Sequence, residues 1–315
     1  MNAKTLKHID DTALVFEGGG MRGAFTAGIT ATLIEEGIDF PHVSGISAGS
    51  SNTVNYVSRD AQRAHDTFTT VADSPEFGGL KHWVHGRGMF NVDYLYDEIA
   101  QPDGDAPLDL DTFLSNPAEV RIGAFNATRG EEVWFTKEDM RTVEEVGRCV
   151  RAYSTMPIIM PTVTIDGDTY VDGALGPDGG IPLDAPMRDG YRKFFVVLTR
   201  PRDFVKSPIK PGVYSALRLA FPHLPSIAEA VACHTVAYNA ARRKLFELEE
   251  QGRALIVTPE DLAIDKMEMN VERLEDAFDA GVALARRDLP RWEAFLGLLG
   301  RLHRLSAVKI TQHLE

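Results

Sequence analysis

Cysteine is nearly absent from this 315-residue chain. Its two copies, Cys149 and Cys233, form neither a CxxC pair nor the dense set that staples a small secreted fold. A reducing, cytoplasmic setting is therefore expected, with both thiols packed as small apolar side chains. Long hydrophobic runs are also missing: no stretch approaches the ~20 consecutive apolar residues of a membrane span. The first eleven residues, with Lys4, Lys7, Asp10 and Asp11, lack the apolar centre of a secretion signal. Lipid contact is accordingly expected only at the surface, peripheral to an inner membrane face. Basic residues are in deficit, 33 against 46 acidic for a net charge of -13. That balance excludes nucleic acid as the expected partner, because phosphate binding needs a clustered positive field. Proline (17) and glycine (27) are too few for a collagen-like or disordered chain, and a 44% hydrophobic content can fill a large core.

What is present reads as alternating strands and helices. A short strand, 12–16, runs into Glu17-Gly18-Gly19-Gly20, and an amphipathic helix follows to about Glu36, stopping at Gly37. Residues 43–46 read as a buried strand, followed by a helical run to about Arg63. Strand, helix, strand, helix within 60 residues predicts a parallel α/β sheet. Residues 73–118, with His85-Gly86-Arg87-Gly88 and Asp103-Gly104-Asp105, read as an insertion of loops and short helices. The acidic run lacks the ligand spacing of a calcium loop, so it reads as a solvated turn. Strands are expected at 120–126 and 132–135, a helix at 142–153, and a hairpin over 163–170 turning at Asp166-Gly167. The apolar run within 193–199 reads as a buried strand, and from Pro225 the chain is largely helical with one strand at 254–257.

Three motifs carry chemistry. Gly45-Ile46-Ser47-Ala48-Gly49 is G-x-S-x-G, in which a serine sits on a sharp strand-to-helix turn between small residues, at a helix N-terminus that favours negative charge. By composition alone the pattern arises in roughly one chain in ten; its place between a buried strand and a helix makes it informative. Gly18-Gly19-Gly20-Met21-Arg22-Gly23 leaves backbone amides unobstructed, and as an oxyanion hole would offer donors from Gly19, Gly20 and Met21. Gly18, Gly20 and Gly23 also satisfy the dinucleotide pattern G-x-G-x-x-G. That site wants an acid at the end of the next strand, where this chain has Ser47, and Asp39 precedes the strand. No cofactor and no metal are expected. Asp172-Gly173-Ala174 is the third motif, an aspartate at a strand end that could take the proton from Ser47, or simply an Asp-Gly turn.

In this order the three motifs resemble the patatin-like phospholipase family, whose pattern is a G-G-G-x-[KR]-G loop, G-x-S-x-G and D-G-[GA]. The resemblance covers at least residues 13–200 and implies a three-layer α/β/α fold with a mostly parallel central sheet and a helical C-terminal part. It implies a catalytic unit over 10–258 and a helical extension over 259–315 packed on it. It further implies a serine lipid acyl hydrolase with a Ser–Asp dyad: Ser47 as nucleophile, Asp172 as base, and the loop Gly18 to Gly23 as oxyanion hole. Two alternatives stay open. One is a Ser-Asp-His triad, with His223 or His234 following Asp172 in chain order; the other is a lipid-binding protein that keeps the fold without the activity.

Residues 188–225 depart from the acidic average, with eight basic side chains against two acidic ones and apolar Phe204, Val205, Val213, Tyr214 and Phe221. This segment reads either as a rim for an anionic lipid surface, through Arg202, Phe204, Lys206 and Lys210, or as a solvated loop. Arg22 could meet a lipid phosphate or anchor the glycine loop. The leucines Leu296, Leu299, Leu302 and Leu305 read as a packing helix.

Overall fold

The computed structural model describes residues 5–79, 90–155, 157, 160 and 162–298. His85 to Gly88 and the leucines Leu299, Leu302 and Leu305 lie outside the described residues. Ten strands are present among them: β1 (Lys7–His8), β2 (Thr12–Phe16), β3 (Ile38–Asp39), β4 (His42–Ile46), β5 (Glu119–Asn126), β6 (Glu131–Phe135), β7 (Val163–Ile165), β8 (Asp168–Asp172), β9 (Lys193–Val197) and β10 (Ala254–Val257). β1 and β3 form a small parallel pair. The other eight make one sheet in the order β10-β9-β2-β4-β5-β8-β7, with β6 on the second edge of β5. From β10 to β5 every pairing is parallel, and the hairpins at the far end are antiparallel.

β2 is buried along its whole length, as a strand covered on both faces must be. Leu14 and Phe16 pack into one layer with Phe25 and Ile29 of helix α1 (Gly23–Glu35), with Val54 of helix α2 (Ala48–Val57), and with Trp292. Ala13 and Val15 face the other layer and meet Tyr238 and Leu245 of the helix Pro225–Glu250. Period-two alternation thus divides one strand between two helical layers, giving a three-layer α/β/α architecture.

The helix Val271–Phe295 lies along α1 on the first layer. Their crossing is tight: a Cβ on Gly28 would stand 2.2 Å from the Phe278 carbonyl oxygen, and one on Gly281 would stand 2.2 Å from that of Phe25. The helix Val143–Ser154 starts at a reciprocal cap in which the Thr142 hydroxyl and the Glu145 carboxylate each satisfy the other's backbone amide. Within the expected insertion, the described residues hold short turns, a π-helical turn at Tyr94–Glu98 and one α-helix, Leu110–Ser115. Residues 213–220, within the segment read as a lipid rim or a solvated loop, form a helix with Leu217 buried beneath it.

Candidate active site

The C-terminal ends of β9, β2 and β4 lie side by side, and the loops leaving them build one crevice, the usual place for a ligand in an open α/β sheet. β4 delivers Ser47. Its backbone stands at φ 55°, ψ −127°, a conformation that costs a non-glycine residue on the order of 1–3 kcal/mol and persists only where its surroundings impose it. The surroundings here are the flanking glycines: a Cβ on Gly45 would meet the Gly49 carbonyl at 2.2 Å, and one on Gly49 would meet the Phe16 carbonyl at 2.4 Å. The turn is closed by the Ser50 amide, which donates to the Ser47 carbonyl at 2.8 Å.

Asp172 arrives from the opposite direction. On one edge of β5, Gly123 is paired with Ile46 of β4, and the next residue, Ala124, is paired with Asp172 of antiparallel β8. The other edge is filled by β6. β8 therefore takes the lane that β4 leaves when its chain turns into α2, and the two strand ends meet head to head. The Ser47 hydroxyl donates to Asp172 Oδ2 at 2.8 Å, while the Ala174 amide donates to Oδ1 at 2.8 Å. Both side chains are 7% exposed. Burial raises the Asp172 carboxyl above its usual range, opposed by the two hydrogen bonds and by the charges of Lys266 and Lys206.

The glycine loop after β2 faces the same crevice, but its amides are not equivalent. Gly18 donates to the Gly180 carbonyl and Met21 donates to the Lys266 carbonyl, each at 3.0 Å. Met21 is therefore not a free oxyanion donor, contrary to the expectation from its place in the motif. No described residue accepts from the Gly19 or Gly20 amides, so these are the two donors left to a ligand oxygen. The loop is tied down from below by Glu17, a buried carboxylate. It accepts from the Tyr238 hydroxyl at 2.6 Å and from the Thr199 amide, and the Thr199 hydroxyl lies 3.1 Å from both Glu17 and the Gly18 carbonyl. Nothing in the motif announces Thr199 or Tyr238; only the neighbouring ends of β9 and the helix Pro225–Glu250 bring them under the loop.

An apolar cavity of about 100 Å³ opens against Ser47, walled by Met21, Phe68, Phe77, Phe90, Ile99 and Met160. Lys266 stands at its Ser47 end and Arg63 in its wall, where burial lowers the guanidinium to about 10 and leaves it charged at neutral pH.

The remaining candidates fall elsewhere. His234 lies beside Ala174 and is lowered by burial to about 4, so it is neutral, with no bond to Ser47; His223 is exposed. Of the expected rim, Arg202 pairs with Glu249 and stacks on Phe246, and Phe204 turns inward against Tyr238 beneath Arg200. Lys206 points back to the crevice, and Lys210 remains exposed. Inward stacking wins because each ring finds an aromatic or cationic partner. Cys149 is buried as expected, its thiol pushed up to about 12, but Cys233 is exposed on the helix Pro225–Glu250. His42, Glu119 and Asp189 are grouped closely enough for a metal ion. They sit at the other end of β4 and β5, where the Arg121 guanidinium already holds Asp189 at 3.0 Å. No described helix is long and apolar enough to cross a membrane.

Residues 14–185 match the patatin-like phospholipase family, and residues 224–297 match a domain family of unknown function, DUF6363. The chain is similar to the uncharacterized protein YjjU of Escherichia coli strain K12, 26% identical over 198 residues. That is 62% of this chain and 54% of the relative, so the chain spans about half the relative's length. Among solved structures it is similar to VipD from Legionella pneumophila, at 11% identity and a TM-score of 0.42, over 88% of this chain and 67% of that one. With the family match covering more than half of its residues, the chain belongs to the patatin-like phospholipases, a family of lipid acyl hydrolases, and its mixed sheet with helices on both faces is the patatin-like α/β/α fold.

Proposed function

We propose that the chain is a serine lipid acyl hydrolase in which Ser47 and Asp172 act as a dyad on carboxylic esters of lipids. The observation that carries this reading is the direct hydrogen bond of 2.8 Å between the Ser47 hydroxyl and a buried Asp172 carboxylate. A carboxylate is a weaker base than imidazole, and the burial that raises the Asp172 carboxyl moves it towards the strength a base needs near neutral pH.

Asp172 takes the Ser47 proton as the oxygen attacks the ester carbonyl, and the Gly19 and Gly20 amides hold the oxyanion. The tetrahedral intermediate collapses to an acyl-enzyme, and the leaving alcohol receives the proton from Asp172. Water then repeats the sequence: Asp172 takes its proton, hydroxide adds to the acyl carbon, and Ser47 leaves with the proton returned to it. The apolar cavity beside Ser47 receives the acyl chain. His234 takes no part in this scheme, since it faces Ala174 and the Ser47 hydroxyl is bonded to Asp172 instead.

Hydrolysis of a lipid extract, with products identified by mass spectrometry, tests the activity. Released fatty acid that disappears in Ser47→Ala, together with a fluorophosphonate label confined to Ser47, is the expected result. Lipid binding without release or labelling would instead assign a non-catalytic lipid-binding protein. Membrane contact is part of the same reading, with the exposed Val205, Tyr214 and Leu219 beside Lys210 as the contact surface. Absence of vesicle binding would exclude it, and vesicle binding that ignores anionic lipid content would remove Lys210 from the contact surface.

A further inference from the structure

Four cations converge on the glycine loop from four parts of the chain. Arg22 begins α1 and is 8% exposed, and its Nε and Nη1 are sealed from solvent without a hydrogen-bond partner. Arg200 follows Thr199, the residue that clamps Glu17, and stacks at 4.6 Å on Phe204. Lys206 lies in a loop whose backbone is gripped at both ends by one side chain: Asn239 accepts from the Lys206 amide at 2.9 Å and donates to its carbonyl at 3.0 Å. Its ammonium is held 4.7 Å from the Tyr238 ring. Lys266 receives the Met21 amide on its own carbonyl and lines the cavity beside Ser47.

None of the four makes an ion pair with a described residue, whereas Arg202, one turn away, pairs with Glu249. The acidic groups that face them are Glu17, Asp172 and Asp265. Glu17 is occupied by Tyr238 and Thr199, and Asp172 by Ser47 and the Ala174 amide. Asp265 is exposed. A buried guanidinium left without hydrogen bonds is costly, and a fold keeps one where something else completes it.

We propose that Arg22, Arg200, Lys206 and Lys266 form a subsite for a phosphate group, which holds that group of the substrate while an ester carbonyl lies against Ser47. The inference rests on Ser47 being the nucleophile, and it adds which esters the site selects. A phosphodiester lies only a few bonds from the ester carbonyls of a glycerophospholipid, and a neutral glyceride offers no such anion. Arginine supplies planar, forked donors to phosphate and lysine a compact charge, so the four side chains can surround one anion. Lys206 is lowered to about 8, mainly by burial, with Glu17 opposing and Arg22, Lys266 and Arg200 adding to the shift. A bound phosphate would raise it again. Three of the cations, Arg200, Lys206 and Lys266, lie outside the residues 14–185 that match the family, so the selectivity is set by this chain's later segments.

The test compares kcat/KM for dioleoylphosphatidylglycerol and dioleoylglycerol in the same detergent micelles. In Lys206→Gln and Lys266→Gln the ratio of the two falls roughly tenfold each, mostly through KM, the size expected for one charge-assisted hydrogen bond. Lys206→Arg retains most of the ratio. A ratio unchanged in both glutamine variants, with thermal midpoints near wild type, overturns the phospholipid assignment. Inhibition of 4-nitrophenyl butyrate hydrolysis by glycerol 3-phosphate distinguishes the source. If that inhibition weakens in the double variant while the lipid ratio holds, the subsite serves soluble phosphate esters; if neither changes, there is no phosphate subsite. Calorimetric titration of Ser47→Ala with inorganic phosphate reads the subsite without turnover. Phosphate binding there, alongside full esterase activity, would mean that the nucleophile reading had failed and the subsite had not.

Discussion

Ser47 and Asp172 meet at 2.8 Å across 125 residues of chain because their strands share one lane beside β5. Gly123 fixes the end of β4 and Ala124 the end of β8, so a shift of one register position would separate hydroxyl from carboxylate. The Ser47–Asp172 contact is thus a property of the sheet, and the proposed dyad can be tested through the energetics of its buried charge.

Asp172→Asn is expected to lower kcat on 4-nitrophenyl butyrate by roughly 10²–10⁴, the usual contribution of a positioned base. It should also raise stability at neutral pH. The folded carboxyl is raised, so between the ordinary carboxylate range and its folded value the native state binds the proton more tightly than the unfolded chain. Stability from this group therefore falls as pH rises through that window. Urea titrations at pH 5 and pH 8 should show the asparagine variant gaining on wild type at the higher pH. Equal stability differences at both would contradict the buried charge.

The acid limb of kcat/KM for a neutral ester should lie above the ordinary carboxylate range, because Asp172 works ionised and burial resists ionisation. Lys206 favours the ionised form, so Lys206→Gln should move that limb to higher pH. A limb that stays in place would remove Lys206 from the field of the base.

Tyr238→Phe deletes the hydroxyl that donates to Glu17 at 2.6 Å and leaves the Thr199 bonds in place. An underserved buried carboxylate should cost about 1–3 kcal/mol, read by urea denaturation. The Gly19 and Gly20 donors would lose part of their support, so kcat should fall more than KM changes. Loss of stability with kcat intact would make the network purely structural.

His42 is fully buried, and burial lowers it to about 4 despite its bond to Asp189 at 3.0 Å. Between pH 6.5 and 4 the unfolded chain takes up a proton that the folded state refuses, so this group's stability is lost as pH falls. His42→Gln should flatten that loss by up to about 3 kcal/mol. His234, also lowered to about 4, supplies a second contribution that the variant leaves in place. A pH dependence identical to wild type over this range would show that His42 is not held neutral.

Local chemistry made much of this legible. Continuous apolar residues marked β2, β9 and β10, and a serine between glycines marked the strained turn after β4, because steric demands on a backbone appear directly in residue size. Contacts between distant segments were not legible. The amphipathic helix 213–220 looked like loop because five prolines surround it, and Phe204 looked exposed because its partners, Tyr238 and Arg200, come from other elements. Met21 looked like an oxyanion donor until Lys266 was found on its amide.

The sequence by itself determined the family resemblance, the alternation of strands and helices, and the separate serine, glycine-loop and aspartate motifs, since each rests on residues adjacent in the chain. Only the tertiary structure decided which amides remain free, what holds Glu17, and where the unpaired cations gather. Hydrogen-bond acceptors and neutralising charges are supplied across the fold, and their presence or absence is settled by which strand ends the sheet places side by side.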